Sequence, residues 1–167
     1  IVSRHHVEQN KGNPRDLVLD GQESNYGNLA MCKMNMVLHG ISDFTIEYGN
    51  TLSNPKQLDG GKLKSYDRVL ANFPFSMDWD NKGVEKDPYN RFRFGIPPAK
   101  DKADFAFIQH MYAQLNKKGM AAIVCSQGIL FRGSVEAKIR EGLIEEDAIE
   151  AIIAIPEKLF FGTGIPA

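Results

Sequence analysis

Apolar residues along this chain fall into two patterns, short continuous runs and longer stretches with helical spacing. The short runs predict strands, which are LVLD at 17–20, FTIEY at 44–48, YDRVLA at 66–71, MAAIVC at 120–125 and IEAIIAI at 149–155. Apolar residues in these runs are not confined to alternate positions, which favours a parallel sheet covered on both faces.

Three stretches between these runs repeat apolar residues every three or four positions and predict helices. They begin at Ser24 or Asn25 and end at Gly40, cover 101–117, and lie around 133–142. Strands that alternate with helices predict a doubly wound α/β fold in a single domain. In such folds ligands bind at the carboxyl ends of the strands, so the residues that follow each strand are candidates for chemistry.

Composition narrows the possible functions. Of 167 residues, 43% are hydrophobic and 25% charged, which is typical of a globular domain, and a net charge of −1 gives no overall attraction for nucleic acid. No run approaches the ~20 apolar residues of a membrane span and no signal peptide is evident, so we expect a cytoplasmic protein with no membrane partner. The cysteines Cys32 and Cys125 and the four histidines show no ligand spacing, so no metal site is predicted and both thiols are expected to be free and buried.

The residues after the third predicted strand, Asn72-Phe73-Pro74-Phe75, place an amide beside two aromatic rings at a turn. The side-chain oxygen of Asn72 and the backbone carbonyl of Phe73 can accept two hydrogen bonds from one amine, and Phe75 offers a stacking face. These groups suit a planar base that bears an amino group and has been unstacked from its helix. The alternative is that Asn72 only ends the strand, since Asn is common in turns.

The segment PYNRFRFGIPPAK at 88–100 interleaves basic and aromatic side chains. Its candidate nucleic-acid-binding residues are Arg91, Arg93 and Lys100. The pattern suits phosphate contact combined with base stacking. The alternative is a long mobile loop. Further along the chain, Phe160 and Phe161 are candidates for a second stacking surface or for burial under the sheet.

The chain resembles a known family in five ordered blocks that cover nearly its whole length. The family is the modification (M) subunits of type I restriction-modification systems, adenine-specific DNA methyltransferases that use S-adenosylmethionine. The blocks are GQESNYGNLAMCKMNMVLHGI, RVLANFPFS, ADFAFIQHMYAQLNKKGMAAIV, GILFRGSVEAKIREGLI and EAIIAIPEKLFFGTGIP. The resemblance implies a Rossmann-like class I methyltransferase sheet and methyl transfer to N6 of an adenine flipped out of double-stranded DNA. It also implies two partners, a specificity subunit and a restriction subunit.

The resemblance also assigns roles to single residues. Asn72, Phe73, Pro74 and Phe75 match the catalytic tetrad, which is Asn-Pro-Pro-Phe or Asn-Pro-Pro-Tyr in the family. Phe73 replaces a proline and so loses the fixed φ that would preorganise the turn. For the cofactor, the resemblance assigns Glu23 to the ribose hydroxyls, although an acid here can also simply favour a helix N-terminus. Asn50 lies where relatives usually have Asp beside the cofactor's adenine, and its amide oxygen is expected to accept from the adenine amine.

Relatives carry a glycine-rich cofactor loop, Asp-Pro-x-Cys-Gly-Ser-Gly-Gly, before the region where this chain begins, and the chain contains no such stretch. We therefore expect residues 1–167 to be a partial methyltransferase domain cut at both ends, lacking the first cofactor-loop strand and the last strand of the sheet. Cofactor binding by this chain alone is expected to be impaired. Two alternative functions stay open, methyl transfer to a protein glutamine or RNA base, and a catalytically inactive fragment that serves assembly or DNA binding.

Overall fold

The computed structural model describes residues 1–100, 102–156 and 159 of the chain. The protein is a mixed α/β structure with small two-stranded sheets, which confirms the predicted class. It divides into two compact units, Ile1–Lys62 and Leu63–Ala167. Phe160 and Phe161 lie outside the described residues.

The first unit is built around a parallel strand pair joined by a helix. Its main elements are α1 (Val2–Gln9), β1 (Leu19–Glu23), α2 (Tyr26–Leu38) and β2 (Phe44–Tyr48). Strand β1 runs parallel to β2, with Glu23 opposite Tyr48 at the carboxyl ends. Asn25 caps α2 by accepting the backbone N–H of Asn28, as the sequence predicts, and Gly40 follows the helix in a left-handed conformation at φ 67°.

A short sheet and the larger second unit follow. The further elements are β3 (Leu58–Asp59), β4 (Lys62–Leu63), β5 (Tyr66–Asn72), α3 (Asp104–Ala113), β6 (Leu115–Val124) and α4 (Val135–Glu145). Strand β3 pairs with β4, and β5 runs parallel to β6 with Asn72 opposite Val124. The hydrophobic core of the second unit centres on Phe105 of α3 with Ile139 and Leu143 of α4.

The helix predicted over 101–117 ends at Ala113, which makes the predicted C-terminus wrong. The residues Lys117 to Gly119 belong instead to β6, whose register with β5 shifts by several residues. A Cβ at position 119 would lie 2.7 Å from the Tyr66 carbonyl oxygen, so the close strand approach requires glycine. A glycine that resembles a helix stop in sequence is therefore part of a strand irregularity.

A further predicted strand differs from the structure, and the predicted single sheet is untested. Residues 149–155 form no strand, because the described part of the chain provides no partner for them and their side chains lie largely in solvent, as at Ile152 and Ile153. The described strands form three separate pairs, and the single doubly wound sheet stays a prediction. Within the described residues, no helix combines the length and the apolar character that crossing a membrane requires.

The cysteines also differ from expectation. Both thiols are free, but Cys32 is exposed on α2 and only Cys125 is partly buried. Burial raises the pKa of Cys125, and the nearby Asp104 carboxylate raises it further. Cys125 therefore stays a neutral thiol at pH 7 and is a poor nucleophile.

Candidate active site

The tetrad Asn72-Phe73-Pro74-Phe75 begins at the carboxyl end of β5. Asn72 is exposed, and within residues 1–100, 102–156 and 159 its side chain makes no hydrogen bond. The carbonyl oxygen of Phe73 accepts no hydrogen bond from these residues either. Two adjacent acceptors therefore remain available at the strand end, which is the side of a parallel sheet where ligands bind.

Phe73 is not one of the exposed aromatic residues that the sequence indicates. Its side chain is only 7% exposed and stacks on Phe107 of α3, with ring centroids 5.0 Å apart and planes 19° apart. The half-buried Phe75 meets Phe73 edge to face, with centroids 6.2 Å apart. Burying a Phe side chain contributes about 2 kcal/mol, so packing restrains the turn at the position where the family uses a proline ring.

The residue after the tetrad is held by a buried carboxylate. Ser76 has a left-handed backbone with φ 52°, which L-residues rarely adopt. Its backbone N–H donates to Asp104 Oδ1 at 2.7 Å, and Asp104 is 0% exposed at the start of α3. The other oxygen of Asp104 accepts from the hydroxyl of Ser126, at 3.2 Å, just beyond the end of β6. One carboxylate thus joins the segments that follow both strands.

Arg132 completes this arrangement. Its guanidinium donates to Asp104 Oδ2 at 2.8 Å, to the hydroxyl of Ser76 at 3.1 Å and to that of Ser126 at 3.4 Å. Burial lowers the pKa of Arg132, but Asp104 and Glu136 outweigh burial and raise the pKa overall. We call Asp104, Arg132, Ser76 and Ser126 the tetrad clasp.

A second acid balances the charge beside the clasp. Glu136 of α4 is buried and contacts Arg132 Nη1 at 3.4 Å and Lys102 Nζ at 3.6 Å. Two carboxylates and two cations therefore share this region, which limits the cost of burying each charge. The sequence alone favours a solvated face for the charges of α4, so Glu136 departs from that expectation.

Sequence reasoning singled out no member of the clasp. The signal available was an acid directly before the apolar start of a helix, at Asp104, together with an isolated arginine at 132. That signal is indistinguishable from ordinary helix N-terminal chemistry, because the partners of Asp104 lie 22 and 28 residues away in sequence.

Glu23 and Asn50, the predicted cofactor residues, lie at one edge of the first unit. Glu23 ends β1, and its backbone carbonyl accepts from the N–H of Gly49, which directly precedes Asn50. The half-buried carboxylate of Glu23 accepts the backbone N–H of Asn25 through Oε1 at 2.7 Å. Its second oxygen makes no hydrogen bond to the described residues and remains an acceptor, so this acid fits the ribose hydroxyls of S-adenosylmethionine.

Asn50 differs from the expectation. Its Oδ1 already accepts two backbone N–H groups, from Leu52 at 2.9 Å and from Ser53 at 3.2 Å. Both lone pairs of the amide oxygen are thus used in its own turn, and the group left to face a ligand is the NH2 donor. The side chain therefore fits a ring-nitrogen acceptor of an adenine better than its amine.

An aromatic pair that the sequence did not identify lies beside these residues. Tyr26, at the start of α2, and Tyr48, at the end of β2, meet edge to face with ring centroids 6.0 Å apart, and both are exposed. Their position next to Glu23 offers an apolar face at the same edge. The structure therefore groups Glu23 and Asn50 in the first unit and the tetrad in the second, and their convergence on one rim stays a prediction.

Arg91 does not have the exposure that phosphate contact requires. It is 4% exposed, and its guanidinium donates to Asp87 Oδ1 at 2.8 and 3.0 Å. The guanidinium also lies 3.2 Å from His110 Nδ1, and its carbon lies 5.0 Å from the centroid of the Phe92 ring. Burial, followed by the charge of Arg91, lowers the pKa of His110 to about 4, so His110 is neutral at pH 7. The position of Arg91 supports a structural role.

Arg93 and Lys100 differ in how they are held. Both residues are exposed, but the Arg93 guanidinium pairs with Glu146 and lies 4.5 Å from the centroid of the Phe94 ring. Tyr112 also donates to Glu146, and burial followed by this carboxylate raises the pKa of Tyr112. The arginine and aromatic residues therefore make cation–π contacts with one another, and Lys100, which forms no ion pair with the described residues, is the better candidate for phosphate.

The segment 88–100 packs closely on α4. Phe94 belongs to the partly buried residues around the core, and a Cβ at Gly142 of α4 would collide with its ring. A Cβ at Gly95 would lie 3.0 Å from Val135. These approaches, with the buried Phe92, make the segment part of the packed second unit and favour neither of the interpretations drawn from its sequence.

Comparison with known proteins identifies the family. The family model described as N-6 DNA Methylase matches residues 1–167. The chain is 38% identical over 174 residues to the MjaVII methylase subunit of a type I restriction enzyme from Methanocaldococcus jannaschii, covering 99% of this chain and 29% of that protein. It is 31% identical to the HindI methylase subunit from Haemophilus influenzae, covering 100% of this chain and 37% of that protein.

Two solved structures of type I modification subunits are also similar to this chain. The type I restriction-modification system methyltransferase subunit from Streptococcus thermophilus has a TM-score of 0.85 and 39% identity, over 92% of this chain and 33% of that one. A modification subunit of a putative type I restriction enzyme from Vibrio vulnificus, at 23% identity and a TM-score of 0.66, shares the fold. The chain spans about a third of the length of these relatives. It belongs to the N-6 DNA methylase family, and the predicted resemblance to type I M subunits is confirmed.

Proposed function

We propose that this chain provides catalytic residues of a DNA methyltransferase that transfers a methyl group from S-adenosylmethionine to N6 of adenine in a type I restriction-modification complex. The observation that carries the proposal is the pair of adjacent acceptors at the end of β5, Asn72 Oδ1 and the Phe73 carbonyl, to which none of the described residues donates a hydrogen bond. Family membership supports the reaction class.

The two acceptors act on the amine of the target base. Each accepts one N–H of the adenine amine, which orients the nitrogen lone pair away from the protein and toward the methyl donor. The nitrogen becomes positively charged as its bond to the methyl carbon forms and the carbon–sulfur bond breaks, and two oxygen dipoles fixed in place stabilise that charge before the nitrogen loses a proton to water. S-adenosylmethionine supplies an electrophilic methyl group on a sulfonium sulfur.

The remaining residues bind and orient. The second oxygen of Glu23 accepts from ribose hydroxyls of the cofactor, and the NH2 of Asn50 donates to its adenine ring. Phe75 stacks on the extruded target base, which offsets the few kcal/mol that unstacking costs. Lys100 contacts the DNA backbone, with Arg93 as a weaker contributor because Glu146 already pairs with it.

The partners follow from the same proposal. The relatives are named as subunits of type I restriction enzymes, and we assign this chain the same assembly, with a specificity subunit that selects the DNA site and a restriction subunit. The complex acts on double-stranded DNA in the cytoplasm.

The test uses the full-length protein with its specificity subunit, tritium-labelled S-adenosylmethionine and unmethylated DNA. We expect label in N6-methyladenine. Asn72→Ala should lower kcat at least a hundredfold, since it removes one preorganised dipole at the reacting nitrogen. The matched control is Asn116→Ala, because Asn116 lies on β6 near the opposite end of the same sheet and bonds Asp67.

Two results would contradict the proposal or part of it. Label in cytosine, or in RNA or a protein glutamine in place of DNA, would assign a different substrate. Full activity of Asn72→Ala would remove the proposed acceptor role. Repeating the assay with residues 1–167 alone shows whether these residues suffice for transfer.

A further inference from the structure

We propose that Asp104 and Arg132 are positioning residues that hold the tetrad in its catalytic conformation through Ser76. The inference rests on the proposed function and adds two residues that lie 28 and 56 positions from Ser76 in sequence. Neither side chain touches the substrate in this proposal. Both act on the backbone that carries the two acceptors.

The conformation of Ser76 is the first step. A left-handed residue that is not glycine needs compensation from its surroundings, and Ser76, at φ 52°, follows Phe75 directly. The compensation is the 2.7 Å hydrogen bond from its backbone N–H to a fully buried carboxylate. Charge assistance and burial both strengthen this bond. Asp104 thereby fixes the direction in which the chain leaves the tetrad.

Arg132 adds the second restraint. Its guanidinium reaches the hydroxyls of Ser76 and Ser126 at 3.1 and 3.4 Å while it pairs with Asp104 at 2.8 Å. Because Asn72 lies opposite Val124 at the ends of β5 and β6, the clasp ties together the segments that leave two paired strand ends. A planar group with several donors can make these contacts together, and an ammonium group cannot.

The clasp holds the turn that carries the Phe73 carbonyl, and the reaction rate depends on where that carbonyl lies. A displacement of about 1 Å at a reacting group can cost about a hundredfold in rate. Movement of the turn would separate the Phe73 carbonyl from the amine while Asn72 stays in the β5 ladder. If the clasp served stability alone, apolar residues of similar volume would often do as well as buried ions. Four of its bonds instead end on Ser76 or Ser126, beside the strand ends.

The experiment uses the full-length protein with its specificity subunit. Asp104→Asn and Arg132→Lys should each lower kcat about a hundredfold, with the dissociation constant for S-adenosylmethionine within about twofold of wild type. The matched control for Arg132→Lys is Arg140→Lys, since Arg140 of α4 bonds the carbonyl of Ile129 and contacts no clasp residue. Hydrogen exchange of the Ser76 amide, measured by mass spectrometry of a peptide covering 73–80, should accelerate in Asp104→Asn.

Rescue separates positioning from general stability. Glycine adopts φ near 52° without strain, so Ser76→Gly in the Asp104→Asn background should recover about tenfold in kcat, whereas Ser76→Val should recover nothing. A purely structural role of Asp104 predicts the same deficit in both double variants. If Asp104→Asn fails to fold, Ser76→Val alone carries the test, because a β-branched residue disfavours φ above zero at this half-buried position. Its kcat should then fall about tenfold at unchanged melting temperature.

The outcomes separate this inference from the proposed function. If wild-type protein methylates adenine but Asp104→Asn retains its kcat, or if both Ser76 double variants behave alike, the positioning role is wrong and the function stands. If wild-type protein leaves adenine unmethylated, the proposed function fails and the positioning role in methyl transfer fails with it. The Ser76 exchange rate then still shows whether Asp104 holds the turn.

Discussion

The candidate residues form two groups, one in each unit, whose side chains are held by different kinds of hydrogen bond. In the first unit, Glu23 bonds the backbone of Asn25, and Asn50 bonds the backbone two and three residues further on. In the second unit, Asp104 and Arg132 reach Ser76 from 28 and 56 residues away. The side chains of Glu23 and Asn50 are thus oriented by local bonds, and the turn after the tetrad by side chains distant in sequence.

This difference has a consequence for how each group responds to change. Local side-chain to backbone bonds form wherever the turn forms, so remote substitutions should leave the side-chain bonds of Glu23 and Asn50 intact. The tetrad depends on α3 and on the segments after both strands of its sheet, so substitutions far from it in sequence should alter it. The following variants test this contrast, beginning with the largest expected effect.

Phe73→Pro restores the family proline and should nevertheless destabilise the protein. The change removes a buried ring that stacks on Phe107, and loss of a buried Phe side chain costs about 4 kcal/mol of unfolding free energy. Denaturant unfolding of the full-length protein measures the loss. Phe73→Leu, which keeps most of the apolar volume, should cost only about 1 kcal/mol. Equal or greater stability of Phe73→Pro would show that backbone restriction, and not packing, holds the turn.

His110 should make the second unit sensitive to acid. Its pKa is lowered from 6.5 to about 4 in the folded protein, so between these values the unfolded chain binds the proton more readily. Stability should therefore fall as the pH drops from about 6.5 to about 4, by roughly 3 kcal/mol in total. His110→Gln should remove this part of the pH dependence in unfolding titrations. His39→Gln changes an exposed residue and should leave the dependence intact.

Asn50 tests the group of candidate residues in the first unit. Asn50→Ala removes two side-chain to backbone bonds and should cost about 1 kcal/mol. Asn50→Asp keeps both bonds but replaces the NH2 donor with a second acceptor, which should lower affinity for S-adenosylmethionine about fivefold in calorimetric titration of the full-length protein. Equal or tighter binding by Asn50→Asp would mean that the NH2 of Asn50 does not donate to the cofactor. Neither variant should change hydrogen exchange at Ser76.

The basic segment is expected to give the smallest effects. Lys100→Gln should lower the slope of log affinity for DNA against log salt by about one, with affinity reduced severalfold. Arg93→Gln should change the slope less, because Glu146 already neutralises the guanidinium. An equal change in slope for Lys100→Gln and Arg93→Gln would show that the ion pair between Arg93 and Glu146 breaks when the protein binds DNA. The measurement is a salt titration of DNA binding by the assembled protein.

Much of the local structure follows from the sequence. The pattern at 44–48 predicts β2 at its observed bounds, and helix α2 with its Asn25 cap lies where spacing and capping chemistry indicate. The apolar run at 149–155 does not form its predicted strand, because a strand requires a neighbour to complete its hydrogen bonds. The predicted C-terminus of α3 is wrong for a similar reason. Gly119 is required by the close approach of the neighbouring strand at Tyr66, and it does not end a helix.

By itself, the sequence determined β2, the helix α2 with its cap, and the position of Asn72 at the end of β5, since periodicity, caps and turn chemistry act over a few residues. Tertiary structure alone decided that Phe73 and Arg91 are buried and that Asp104 and Arg132 pair with each other and reach Ser76. Burial and charge pairing depend on which distant segments meet, and that information is set by the packing of the whole unit.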